Sequence, residues 1–246
     1  MDEMVYLAMT GAKQTEYAQA INSNNLANIS TSGFRADLHA FSSLAIEGPG
    51  AESRVNAVVD SFGTDFAQGP LVNTGRNLDV AIQGQGFFVV QAPDGSEAFT
   101  RAGDLRVNSG GLLSNGAGHL ILGDGGPVAV PPNSSLTIGA DGTVSVQPLG
   151  QGPEALVIVD RIKMVNPDIK QLSKGNDGLL HLPDGETADA DSSITLTAGA
   201  LEQSNVNVAM TLVNMIELSR QYEMQVNAMK TAKENADSAA QLMRVG

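Results

Sequence analysis

A chain of 246 residues, 42% of them hydrophobic, can bury a core and has room for one sizeable domain with extensions or for two small ones. Its 27 Asp and Glu against 14 Lys and Arg give a net charge of −13, with the acid spread along the chain, so no basic stripe exists to hold nucleic acid. The absence of cysteine excludes disulfides, thiolate metal sites and cysteine nucleophiles, and no run approaches the ~20 apolar residues of a membrane-spanning helix, so direct membrane insertion is not expected.

Asp2 and Glu3 follow Met1 where a signal peptide carries Lys or Arg, and no apolar run leads to a cleavage site. The chain is therefore expected to stay in the cytosol or to leave by a route that cleaves nothing. Residues 3–28 read as a first helix, with Met4, Leu7, Gly11, Ala18 and Ile21 on a three-four spacing and Ala8 and Ala12 beside them. Gln14 interrupts this stripe of small residues, so the helix would be marginal alone. Asn22, Asn24, Asn25 and Asn28, then Ser30 to Gly33, are residues that leave and cap helices, and Gly33 is expected to close the element in a left-handed conformation. The asparagines fit two accounts, a solvated helix end or amides that hydrogen-bond to neighbouring subunits.

Residues 34–75 lose period and are punctuated by Gly48, Pro49, Gly50, Gly63, Gly69 and Pro70, as in an extended connector. Two pieces of it, residues 54–59 and 71–73, read as short strands that are expected to pair with each other. Over residues 76–200 the grammar changes to brief β runs. Leu78, Val80 and Ile82 alternate with polar residues, and the turn dipeptides Asp94-Gly95, Gly110-Gly111, Asn115-Gly116, Asp124-Gly125 and Asp141-Gly142 fall between apolar patches. That spacing predicts an antiparallel β-rich domain with no helix of its own.

No Gly or Pro interrupts residues 206–245, so residues 201–246 end in one helix of roughly 60 Å. Val208, Met215, Tyr222, Met229, Ala236 and Met243 fall one heptad apart, with Leu218, Ala232 and Ala239 three residues on. Thr211 and Gln225 occupy positions where a stable two-stranded coil would have Leu, so the seam is thin and suits contact with several neighbours. The alternative is a C-terminal helix folded on its own core.

Chemistry is sparse. His39, His119 and His181 lie far apart with no second ligand at helical or strand spacing. Gly84-Gln85-Gly86 opens like a dinucleotide fingerprint but lacks the third glycine and precedes a β run. Asp184, Glu186, Asp189 and Asp191 lack the ligand order of a calcium loop, and no serine sits in a nucleophile elbow. No catalytic, cofactor or metal site is expected.

The stretch Asn24-Asn25-Leu26-Ala27-Asn28-Ile29-Ser30-Thr31-Ser32-Gly33-Phe34-Arg35 closely resembles the N-terminal signature of bacterial flagellar rod and hook proteins. Further marks of that family follow in order: Thr74-Gly75-Arg76-Asn77-Leu78-Asp79-Val80-Ala81-Ile82, then Gly86-Phe87-Phe88, then Thr100-Arg101-Ala102-Gly103-Asp104, and before the final helix Gly199-Ala200-Leu201-Glu202-Gln203-Ser204-Asn205-Val206-Asn207. The resemblance implies an α+β fold. Terminal helices (residues 1–33 and 201–246) would pair in an inner α domain, joined by the connector (34–75) to an outer β domain (76–200). It also implies helical stacking with copies of this chain and with other rod proteins, export by the flagellar type III apparatus without cleavage, and a place in the periplasmic rod. Length and the acidic connector point to a proximal-rod member over a distal-rod or hook paralogue. Met4, Leu7, Gly11, Ala18 and Ile21, with Asn24, Asn25 and Asn28, and Val208, Met215, Leu218, Tyr222, Met229, Ala236 and Met243 would form the assembly interface. The competing class is an acidic β-domain enzyme or carbohydrate-binding module with oligomerisation helices.

Overall fold

In the computed structural model the described residues are 2–45, 55–148, 150 and 155–245. They divide into two compact units. The first comprises residues 1–28, 37–65 and 206–246, and the second residues 29–36 and 66–205.

The helical unit contains α1 (Asp2–Ala27), α2 (Val208–Val245) and a hairpin of β1 (Asp37–Ala45) and β2 (Val55–Thr64). The helices run antiparallel. Gly11 faces Gln225, and Asn22 donates from Nδ2 to the Thr211 carbonyl at 2.8 Å. α1 stops at Ala27, six residues short of Gly33, because the asparagine run competes for the backbone: the Asn28 Nδ2 donates to the Asn24 carbonyl at 3.0 Å. The Asn207 Oδ1 caps α2, accepting from the Met210 N–H at 3.1 Å.

The hairpin was hidden within the expected connector. β1 and β2 pair along their length, but Asp60 has no partner, since Ala40 opposes Ser61 and Phe41 opposes Val59. Such a bulge shifts the alternation by one residue and erases the period-two signature. Of the two pieces read as strands, Arg54 lies outside the described residues and the rest of 54–59 belongs to β2. The other, β3 (Leu71–Asn73), pairs with Ala200–Glu202 instead.

The β body is built from antiparallel pairs. Each of the five turn dipeptides closes a hairpin between consecutive strands. β4 (Val80–Gln83) pairs with Thr195–Ala198, and Val80, Ala81 and Ile82 are all buried, so the expected alternation with polar residues is absent there. At the centre β5 (Phe87–Gln91) pairs with β6 (Glu97–Thr100), with Leu120–Gly123 and with Met164–Val165. Phe88 and Val90 point into the larger apolar cluster, with Leu105, Ile121 and Val144; Phe87 and Val89 point the other way, with Phe99 and Leu180. A strand buried on both faces explains why Phe87 to Val90 reads as an unbroken apolar run. Helical structure among the described residues of the body is limited to two three-residue 3-10 turns, Ile169–Gln171 and Pro183–Gly185.

Candidate assembly interface

The inward seam of the helix pair is made of small and polar side chains. On α1 the buried residues are Ala8, Ala12, Thr15, Ala18 and Asn22; on α2 they are Thr211, Leu218 and Ala232. Of the residues that apolar spacing singles out on α1, Ala18 is buried and Gly11 lies against Gln225, while the inward face is completed by Ala8, Ala12, Thr15 and Asn22. Leu7 is exposed and Ile21 half-buried. Two polar residues take inward places because each has a partner. The Thr15 hydroxyl donates to the Gly11 carbonyl one turn back at 2.9 Å, and the Asn22 amide crosses to α2.

On α2 the heptad positions Met215, Met229 and Ala236 are half-buried, and Gln225 fills the notch at Gly11, where a Cβ would lie 2.9 Å from its amide. Val208 and Tyr222 are exposed. The side chains of Met4 and Met243 lie outside the described residues.

The outward faces carry residues that the heptad does not contain. Tyr6, Met9 and Tyr17 on α1, and Met210, Leu212, Val213, Ile216, Met224 and Val226 on α2, are exposed, with Tyr6 at 63%, Met224 at 62% and Ile216 at 55%. Large apolar side chains left exposed on both helices are the feature of this unit that its own fold does not use. Off-heptad Met and Leu in residues 210–226 were the available signal.

Asn24, Asn25 and Asn28 separate. The Asn25 Nδ2 donates to the Asp37 carbonyl and its Oδ1 accepts from the Asp37 N–H, each at 2.8 Å, so this amide imitates a strand partner and pins β1 to the end of α1. Both ends of Asn25 are thus engaged inside the chain. Asn28 bonds back to Asn24, which is exposed.

Within the β body the sequence motifs meet at one buried carboxylate. Glu202 is fully buried; its Oε1 lies 2.7 Å from Arg35 Nη2 and accepts from the Gly69 N–H at 3.0 Å, and its Oε2 accepts from Arg101 Nη1 at 3.0 Å. Arg35 also donates to the Ala67 carbonyl, and Arg101 to that of Gly84 at 2.6 Å, which gives the Gly84-Gln85-Gly86 stretch a structural use. The Arg101 guanidinium stacks 5.3 Å over the Phe87 ring. Burial pushes the Arg101 guanidinium below its ordinary range, the Glu202 carboxylate opposes that, and the Arg35 charge adds to it. The backbone closes around the same group: the Gly33 N–H donates to the Glu202 carbonyl at 2.8 Å, and the Asn205 N–H to that of Phe34 at 3.3 Å. Gly33 takes φ +67°, and a Cβ there would overlap the Arg101 backbone, so both conformation and space require glycine. In the 74–82 motif Asp79 receives the Thr74 hydroxyl at 2.7 Å and lies 2.8 Å from Arg76 Nη2.

Of the histidines, His181 sits 3.0 Å from Asp177. Among the described residues no group of three or more His, Asp or Glu is placed to hold a metal ion.

An antiparallel β body together with a pair of long terminal helices that expose apolar side chains defines an α+β protein of two units. The flagella basal body rod protein family matches residues 6–35, the flagellar hook protein FlgE/F/G D1 domain matches residues 81–146, and the flagellar basal body rod FlgEFG C-terminal family matches residues 197–242. The chain is 39% identical to the flagellar basal-body rod protein FlgF of Salmonella typhimurium and 37% to that of Escherichia coli, over 99% of each chain in both cases. Identity to the flagellar basal-body rod protein FlgG of Buchnera aphidicola subsp. Schizaphis graminum is 32%, over 97% of this chain and 98% of that one. The chain belongs to the FlgF-like flagellar basal-body rod family.

Proposed function

We propose that this chain is a structural subunit of the proximal rod of the bacterial flagellar basal body. It stacks helically with copies of itself and with other rod proteins, transmits torque through packed terminal helices and carries out no catalysis. The observation that carries this reading is the outward apolar face of α2, where Ile216 and Met224 are more than half exposed. In an acidic chain, copies meet most readily where charge is scarce, and between Val208 and Gln225 the charged residues are Glu217, Arg220 and Glu223. A face that meets a different face on the next copy gives the heterologous geometry that propagates as a helix.

Higher identity to the two FlgF relatives than to the FlgG relative supports a proximal-rod role over a distal-rod or hook one. Passage through the flagellar type III apparatus without cleavage, and residence in the periplasmic rod, belong to the same reading. No helix among the described residues is long and apolar enough to cross a membrane. The test is Ile216→Asp with Met224→Asp. Both side chains already face water, so circular dichroism and the unfolding midpoint should stay within about 0.5 kcal/mol of the parent. Swimming should not be restored in a strain lacking the subunit; normal swimming would sink the proposal.

A further inference from the structure

Arg35, Arg101 and Glu202 carry more than the β fold needs. Arg35 lies in the segment that leaves α1, Glu202 in the segment that leads into α2, and Arg101 just beyond β6. Three passages of chain, at Gly33 to Arg35, Ala67 to Gly69 and Glu202 to Asn205, are drawn together by bonds to or beside this one carboxylate. The cluster holds two cations and one anion, and both Nε atoms of its arginines are buried without a hydrogen-bond partner. An arrangement of that kind adds little stability over an apolar one of the same shape, but removing its anion leaves uncompensated buried charge.

We propose that this ion triad is a clasp that holds the segments at Gly33 to Arg35 and Glu202 to Asn205 together, so that pairing of α1 with α2 is conditional on its closure. The physical ground is connectivity. Only a few residues separate Arg35 from the end of α1 at Ala27 and Glu202 from the start of α2 at Val208, so closing the triad confines both helix ends to a small volume. The thin Ala-rich seam has little area with which to find its register unaided. The inference does not depend on which assembly the chain enters.

The test is made on the full-length chain carrying Gly11→Cys and Gln225→Cys, joined by a short thiol cross-linker, with and without Glu202→Gln. That substitution keeps the shape of the side chain and leaves two buried guanidinium groups facing a neutral amide. Exchange of the Gly33, Gly69 and Asn205 amides should rise about tenfold or more, while the Val89 and Val90 amides in β5 keep their protection. The yield of the 11–225 cross-link should fall with it. Arg101→Lys, which retains the charge but not the two-pronged reach to Glu202 and Gly84, should lower the yield by an intermediate amount. Cross-linking unchanged by Glu202→Gln despite fast junction exchange would overturn the proposal, because the helices would then pair without the clasp. Loss of protection at Val89 and Val90 would overturn it equally, by showing the triad to be core structure and no more. Failure of the parent Cys pair to cross-link would do the same.

Discussion

The β body and the helix pair distribute their large side chains in opposite ways. In the body Phe88, Phe99, Ile82 and Leu105 are each less than 2% exposed, and each contributes about 1.5–3 kcal/mol by leaving water. Between the helices the buried apolar residues are Ala8, Ala12, Ala18 and Ala232, which offer roughly one methyl group apiece, and Leu218, while Tyr6, Tyr17, Met210 and Met224 stay outside. The body therefore completes its own core, whereas the helical unit leaves many of its large apolar side chains exposed.

The strongest way to break that division is to ask where the body ends. The compact β unit runs to Asn205 rather than to residue 200, because Glu202 and the strand Ala200–Glu202 belong to it. Truncation after Asn205 is expected to leave the body folded. Truncation after Ala200 removes Glu202 and leaves Arg35 and Arg101 buried without their anion, at an expected cost of about 3–5 kcal/mol. Urea denaturation of the two truncated chains, followed by far-ultraviolet circular dichroism, measures the difference. Equal midpoints would mean the buried triad is energetically silent.

Gly33→Val should rank next. Valine at φ +67° is strained, and its Cβ would meet backbone that no rotamer can avoid, so a loss of about 2 kcal/mol or more is expected in the unfolding of the body. A much smaller loss would show that residues 29–36 can detach from the body at little cost. The helical unit should respond differently to a similar insult. At Gly11 an added Cβ meets only the movable end of Gln225, and alanine favours a helix by up to about 1 kcal/mol, so Gly11→Ala should shift stability by less than about 1 kcal/mol in either direction. Gly103→Ala, by contrast, would drive a Cβ into the Val80 carbonyl oxygen and should be far more damaging. Similar losses from the two alanines, in parallel thermal melts, would mean the helix seam is as tightly packed as the body.

These differences also explain what could be read in the sequence. Turn dipeptides and the Phe87 to Val90 run announce the antiparallel body because hairpins and doubly buried strands are written in local residues. The β1–β2 hairpin escaped because one unpartnered residue, Asp60, breaks the alternation. On α1 the inward face is masked by Thr15, whose hydroxyl is satisfied within its own helix by the Gly11 carbonyl, and by Asn22, whose partner, the Thr211 carbonyl, lies 189 residues away on α2. Arg35, Arg101 and Glu202 each sit in a motif that was recognised, yet nothing in their spacing says they meet, since an ion pair across 101 or more residues has no period.

The smallest expected effect sharpens the comparison through pH. Asp94, Asp141 and Asp191 each sit in a turn of the β body two residues before a Ser or Thr. Each carboxylate is held below the ordinary aspartate value of 3.8, first by the hydroxyl of Ser96, Thr143 or Ser193 and then by the backbone N–H of the same residue. The hydroxyl bonds are 2.6, 2.7 and 2.6 Å long. A folded-state value lowered in this way contributes stability that is present above the unfolded value and is lost as pH falls through the folded one. All three groups are exposed to solvent, so the contribution is small and screened. Replacing all three by Asn should therefore lower the unfolding midpoint of the body slightly at about pH 6, and the gap to the parent should close toward about pH 3 as the parent's carboxylates take up protons. The contrast should be specific to the body, since no matching Asp turn occurs among the described residues of the helical unit. A gap that stays constant, or that widens in acid, would show that the turns owe their stability to backbone geometry and not to the charge of the carboxylates.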